Sequence, residues 1–224
     1  AVPTANFDQY KNSPLLKRVP GTTTFRLMIN GFGTVDEQRA TFPNGSFVPE
    51  PLLANANFKM AMYFAIDRKM LAEEVLKTSQ TQMYHFTDAY LVDPATGVPF
   101  RNSPQAALVG ADLSPETNGF VPDLAREFFA DAVEELIAAG VYQRGTAAAP
   151  TTINISLYIF SGSQAQALFG DFIKTSFERY FNDTVNNVRV TVTVEAKDFP
   201  GIYYDYMMTG EFDLAIGGIS GSTL

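Results

Sequence analysis

The 224 residues carry 16 Lys and Arg against 24 Asp and Glu, a net charge of −8 with a pI near 4.6. With 46% hydrophobic residues and no cysteine, the chain can bury a core of its own, but it has no disulfide frame, thiolate metal site or cysteine nucleophile. No run of Lys or Arg is long enough to follow a phosphate backbone, so nucleic acid is not an expected partner, and no apolar run reaches the ~20 residues that a membrane span requires.

The opening residues, Ala1-Val-Pro-Thr-Ala-Asn, have neither the basic nor the apolar region of a signal peptide. Pro3, Pro14 and the Pro20-Gly21 turn make residues 1–20 an irregular lead-in. Thr22 to Asn30, rich in Thr, Phe, Leu and Ile, reads as a buried strand. Gly31, Gly33, Pro43, Gly45, Pro49 and Pro51 predict a loop after it. From Asn57 to about Lys77, Phe58, Met62, Ala65, Ile66, Leu71 and Val75 recur at helical spacing, with Asn55 or Asn57 as the cap. Residues 78–119 hold four prolines and little periodicity, long for a structureless connection in a compact domain.

Pro122 suits a first helical turn and Gly140 a helix stop, with Leu124, Phe128, Val133, Leu136 and Ile137 as the apolar face. Ile153, Ile155, Leu157 and Ile159 alternate with polar residues, as do Val188, Val190, Val192 and Val194, while Ala165 to Tyr180 has helical spacing. This is a strand, helix, strand unit, whose two strands should be parallel. A short helix from about Phe199 to Thr209 then leads to a strand from Phe212 to Ile216. The fold class is α/β, a mixed sheet flanked by helices.

Candidate chemistry is sparse. His85 is the only histidine, with no Asp/Glu grouping at ligand spacing and no Gly-x-Ser-x-Gly elbow in the chain, so neither a metal site nor a catalytic residue is expected. Asp67 and Arg68 are adjacent and would point about 100° apart on a helix, which favours an ion-pair or cap role over a shared site. The carboxylates Asp93, Asp112, Glu116, Asp123, Asp131, Glu134 and Glu135 are dispersed, and no glycosidase-like pair stands out. Tyr203, Tyr204 and Tyr206 cluster near Asp205, either as an aromatic box or as packing against the sheet. Ser161-Gly162-Ser163 lies where a strand stops and a helix starts, a place that serves equally for a helix cap or for a ligand at the carboxyl end of a strand.

The run Phe58-Lys-Met-Ala-Met-Tyr-Phe-Ala-Ile-Asp-Arg68 resembles the "VRQALxxAIDR" helix of the large peptide-binding proteins that feed ABC importers, the family 5 extracellular solute-binding proteins. The resemblance continues in order through the strand ending at Asn30, the helix ending Glu135-Leu-Ile-Ala-Ala-Gly140, the strand-helix-strand unit, and Phe212-Asp-Leu-Ala-Ile-Gly-Gly218. It implies a type II periplasmic-binding-protein lobe over residues 1–224, excised from a larger two-lobed protein, with no chemistry and no cofactor. It implies further that a peptide or other small solute is the ligand, and that the amino-terminal lobe of the same protein and an ABC permease are partners. The location it implies is extracytoplasmic, in the periplasm or on a lipoprotein anchor. Alternatives are a nickel chelate or oligosaccharide on the same scaffold, or, from another class, a hydrolase or a surface adhesion module.

The ligand-binding residues expected from the resemblance are Asn30, Ser161, Gly162, Ser163, Gly218, Ile219, Ser220 and Ser222. Many relatives read "GWxxD" at the last segment, with an aspartate that takes the ligand's amino group. Here Ile219 stands at the Trp position and Ser222 at the Asp position. Serine supplies no charge to pair an ammonium, so the ligand is expected to be blocked, neutral, or held from the other lobe.

Overall fold

The computed structural model describes residues 2–81 and 87–220. His85 and Ser222 lie outside the described residues. The chain forms two compact units: the first comprises Ala1–Arg26, Asp67–Phe120 and Gly217–Leu224, the second Leu27–Ile66 and Val121–Ile216.

Six α-helices are described: α1 Phe7–Tyr10, α2 Val35–Thr41, α3 Ala56–Ala65, α4 Pro104–Gly110, α5 Pro122–Ala138 and α6 Gln164–Tyr180. The strands are β1 Thr23–Ile29, β2 Leu91–Asp93, β3 Val98–Pro99, β4 Thr151–Phe160, β5 Asn182–Asp183, β6 Val188–Lys197 and β7 Leu214–Ser220. Five of them form one sheet in the order β1-β7-β4-β6-β5. β4 runs parallel to both β6 and β7, and β5 is antiparallel to β6, so the sheet is mixed as expected. β1 lies at the edge and is largely half-exposed, not the buried strand its composition predicts.

The second unit has an aromatic core. Phe181 contacts Phe58 of α3, Phe129 of α5 and Phe177 of α6, with ring centroids 5.0, 5.2 and 4.8 Å away. The buried residues of α5 are Ala125, Phe129, Ala132 and Val133, so its inner face is turned from the one expected: of the predicted stripe only Val133 is buried. Both ends of α5 follow from sequence. Pro122 occupies the first turn, and beyond Ala138 the amides of Gly140 and Val141 return to the carbonyls of Ile137 and Leu136, with Gly140 at φ +75°. Gly170 lets α6 lie close on the sheet, since a Cβ there would stand 3.0 Å from Val194 and 3.1 Å from Ile159.

Two further expectations are corrected. The predicted loop of residues 31–51 contains α2, whose start is a capping box: Thr34 Oγ1 accepts from Glu37 N, and the Glu37 carboxylate accepts from Thr34 N. The single helix expected from residue 57 to 77 is two pieces. α3, capped by Asn55, ends at Ile66 in extended backbone (φ −98°, ψ 108°), and a π-helical turn, Met70–Val75, follows. Asp67 causes the restart by accepting from Met70 N at 2.9 Å, which is the cap role foreseen for it.

The first unit holds α1, the β2/β3 hairpin and α4. Arg68 donates to the Asn118 carbonyl there at 3.3 Å. Among the described residues no helix is long and apolar enough to cross a membrane.

Candidate functional site

The carboxyl ends of β4 and β6 are the most developed candidate. These strands pair in unbroken parallel register from Thr151↔Val188 to Phe160↔Lys197, so the segments after them leave the sheet side by side. Ser161 N donates to the Lys197 carbonyl at 2.9 Å, and Ser161 Oγ donates to the Asp198 carboxylate. A Cβ on residue 162 would lie 2.6 Å from the Phe160 ring, which explains Gly162. Ser163 caps α6, accepting from Gln166 N at 3.2 Å, while Gln166 Oε1 accepts from Phe160 N at 2.7 Å. Of the two roles that the sequence left open, the cap is made by one serine only. Ser163 is the cap, and Ser161 stays exposed beside Asp198.

Next to this loop Lys197 is drawn inward. Its Nζ donates to Glu195 at 2.8 Å and stands 4.5 and 4.7 Å from the ring centroids of Tyr158 and Tyr206. The hydrogen bond with Glu195 pushes the Lys197 pKa up, and burial pushes the Tyr158 hydroxyl up. Tyr206 packs against the buried cluster of Tyr158, Ile202, Phe212 and Ala215, whereas Tyr203 and Tyr204 are exposed and meet edge to face. Only one of the three tyrosines thus follows the packing alternative. Phe199, which contacts Phe160 at 6.2 Å between centroids, is 67% exposed.

The other expected ligand residues fall elsewhere. Asn30 is buried: its Nδ2 donates to Gln38 Oε1 at 3.0 Å and the Gly210 carbonyl at 3.1 Å, and its Oδ1 accepts from Phe32 N. That amide is an internal brace. Gly218, Ile219 and Ser220, in the first unit, are extended residues of β7, which runs on past the strand end expected at Ile216. Ser220 Oγ lies 2.5 Å from Thr23 Oγ1, and a Cβ on Gly218 would come within 3.1 Å of the Thr23 methyl.

Sequence reasoning missed Asp198, Lys197 and Phe199. The available signal was the end of the alternating valine strand, which places them at the same sheet edge as the serine loop. It also missed two carboxylates of the second unit, Asp213, which is buried, and Glu50, which is half-buried. Asp213 accepts from Ser156 N and Oγ at 2.9 and 2.8 Å, and Glu50 accepts from the Tyr142 hydroxyl and from Leu52 N. Burial raises the pKa of both acids. The first unit contains a polar cavity of about 430 Å³ whose lining includes Arg18, Lys77 and Arg101. Lys77 is paired with Asp8 and Arg101 with Asp88. Among the described residues no group of three or more His, Cys, Asp or Glu can hold a metal ion.

No protein-family model and no curated protein sequence matches the chain. Solved structures do match. The pheromone receptor PrgZ, whose structure describes its mode of peptide binding, superposes with a TM-score of 0.65 at 16% identity over 99% of this chain and 35% of its own. Listeria monocytogenes OppA bound to peptide gives 0.64 at 16% identity, over 98% of this chain and 35% of its own. These neighbours are peptide-binding proteins of ABC transporters. The chain has their fold. NikA from Brucella suis, solved with Fe(III)-EDTA, has the same solute-binding-protein fold at a TM-score of 0.54 and 15% identity, over 99% of this chain and 36% of its own. The chain spans about a third of the length of these three proteins.

Proposed function

We propose that the chain is a lobe of a two-lobed solute-binding protein that delivers peptides to an ABC importer. The observation that carries this reading is the exposed loop pair at the parallel ends of β4 and β6, on a fold shared with peptide receptors. In open α/β sheets ligands bind outside the carboxyl ends of the strands. Ser161, Gly162 and Ser163 are the contacts we assign in the second unit, and Gly218, Ile219, Ser220 and Ser222 those we assign on the last segment. Asn30, braced against Gln38 and Gly210, is not one of these contacts. The amino-terminal lobe and the permease complete the assembly, which works extracytoplasmically, in the periplasm or on a lipoprotein anchor. Hinge closure traps the ligand, and the closed form is what the transporter recognises. Backbone hydrogen bonds hold the peptide, so varied side chains are accepted. The protein performs no reaction on what it binds.

Native mass spectrometry of the protein with a defined pool of short peptides, a nickel chelate and an oligosaccharide tests this reading. Retained peptides support it. Retention of the chelate or the sugar with peptides ignored assigns the scaffold to another solute, a reading that the likeness to NikA with its metal chelate favours over the sugar.

A further inference from the structure

The polar cavity of the first unit holds a cation that no acid answers. Its volume is about 430 Å³, and every residue that lines it is polar or charged. Two of its three cations are committed, Lys77 to Asp8, and Arg101 to Asp88 and the Thr81 carbonyl. Arg18 is not. No ion pair or hydrogen bond among the described residues includes it, and its guanidinium carbon lies over the Phe7 ring, 5.2 Å from the centroid. Phe7 is itself buried, so this contact holds one face of the guanidinium and leaves the N–H fork for another partner. Asp8 is shared between Lys77 and Lys11. The acids in and around the cavity, Asp8, Glu73 and Asp88, are thus one fewer than the cations Lys11, Arg18, Lys77 and Arg101, in a chain whose net charge is −8.

Two neutral donors of the lining are uncommitted as well: among the described residues no hydrogen bond engages the Ser79 hydroxyl or the Gln80 amide. A carboxylate would occupy the Arg18 fork and leave both without an acceptor, whereas the three oxygens of a phosphoryl group serve all three donors. The volume is more than a bare phosphate fills and falls within the roughly 300–1,000 Å³ of small-molecule sites. Glu73, which accepts from Thr81 Oγ1 at 3.0 Å, keeps acceptor capacity in the same cavity for a ligand hydroxyl. We propose that this cavity binds a phosphate monoester of a small polyhydroxylated molecule, with Arg18, Ser79 and Gln80 on the phosphoryl oxygens and Glu73 on a hydroxyl of the body. Lys77 reinforces the site, because Asp8 keeps Lys11 when Lys77 turns to the ligand. None of these residues is among the contacts assigned to the transported solute, so the site stands whether or not that solute is a peptide.

The test follows the backbone amide and arginine Nε–H signals of the isotopically labelled full chain during titration, at constant ionic strength, with glucose 6-phosphate, inorganic phosphate, glucose and acetate. Glucose 6-phosphate should shift Arg18, Ser79 and Gln80 saturably, inorganic phosphate should shift the same signals with weaker affinity, and glucose and acetate should leave them in place. Arg18→Gln should weaken glucose 6-phosphate about tenfold, the scale of one charge-assisted hydrogen bond, and Arg18→Lys, which keeps the charge without the fork, should recover only part of it. Glu73→Ala should remove the advantage of glucose 6-phosphate over inorganic phosphate without weakening the latter. Equal affinity of the parent for the two phosphates overturns the hydroxylated body. Shifts with acetate as large as with phosphate, unchanged affinity in Arg18→Gln, or no saturable shift with either phosphate overturns the site.

Discussion

At the scale of single residues, the two desolvated carboxylates, Glu50 and Asp213, carry a prediction about pH. Glu50 is half-buried, caps the 3-10 turn Pro51–Ala54 through Leu52 N, and accepts from Tyr142, so its deprotonation places a charge where water is scarce. Its folded pKa lies above the ordinary glutamate value of 4.5 because of that burial. A raised acid stabilises the fold fully below its unfolded pKa and loses the contribution as pH rises through the folded one. Asp213, also raised by burial, acts in the same direction from 3.8 upward. Glu50→Gln should therefore lose less stability than the parent as pH rises from about 4 to about 8, while it keeps an oxygen for Tyr142. Denaturant midpoints across that range measure it. A steeper decline in the variant would show that the Glu50 carboxylate is better solvated than its surroundings indicate. Nothing in the sequence marked these acids, because their partners, Ser156 and Tyr142, lie 57 and 92 residues away. The serine loop, by contrast, was legible, since a cap next to a strand end is a local pattern.

Elements divide along the same line between local and tertiary causes. The parallel β4/β6 pair, the Asn55 cap and both ends of α5 follow from residues a few positions apart, and all were readable. α2 was readable too, because Thr34 and Glu37 stand at capping-box spacing, but counting glycines and prolines hid it. Replacing Thr34 with Ala should cost about 1 kcal/mol, the usual value of an N-cap, with circular dichroism showing the fold intact. No loss at all would mean that the Glu37 carboxylate holds the helix start unaided. The break at Ile66 and the turned face of α5 escaped sequence reasoning for a different reason. Periodicity defines a stripe, but which edge of the stripe is covered depends on the partner, here the ring cluster around Phe181. Inserting bulk where α6 meets the sheet is a direct test of that packing. Gly170→Val should destabilise by about 1–3 kcal/mol, read from the denaturant midpoint, since the added carbons meet Val194 and Ile159.

For the molecule as a whole, the order of strands along the chain differs from their order in the sheet. β7, whose residues Leu214–Ser220 are the last regular element described, lies between β1 and β4. Each compact unit is likewise assembled from separate segments, three in the first and two in the second. Ending the chain at Gly210 should therefore leave β1 without its partner and abolish a single cooperative unfolding transition. A truncated form that melts as sharply as the parent would show that β7 is an accessory strand. For a chain emerging from the ribosome, β1 must wait until every segment up to β7 has been made before its neighbour exists. Thr23 to Ile29 thus passes through synthesis as an unpaired edge, the kind of segment that chaperones shield and that long-range strand pairing makes slow to settle.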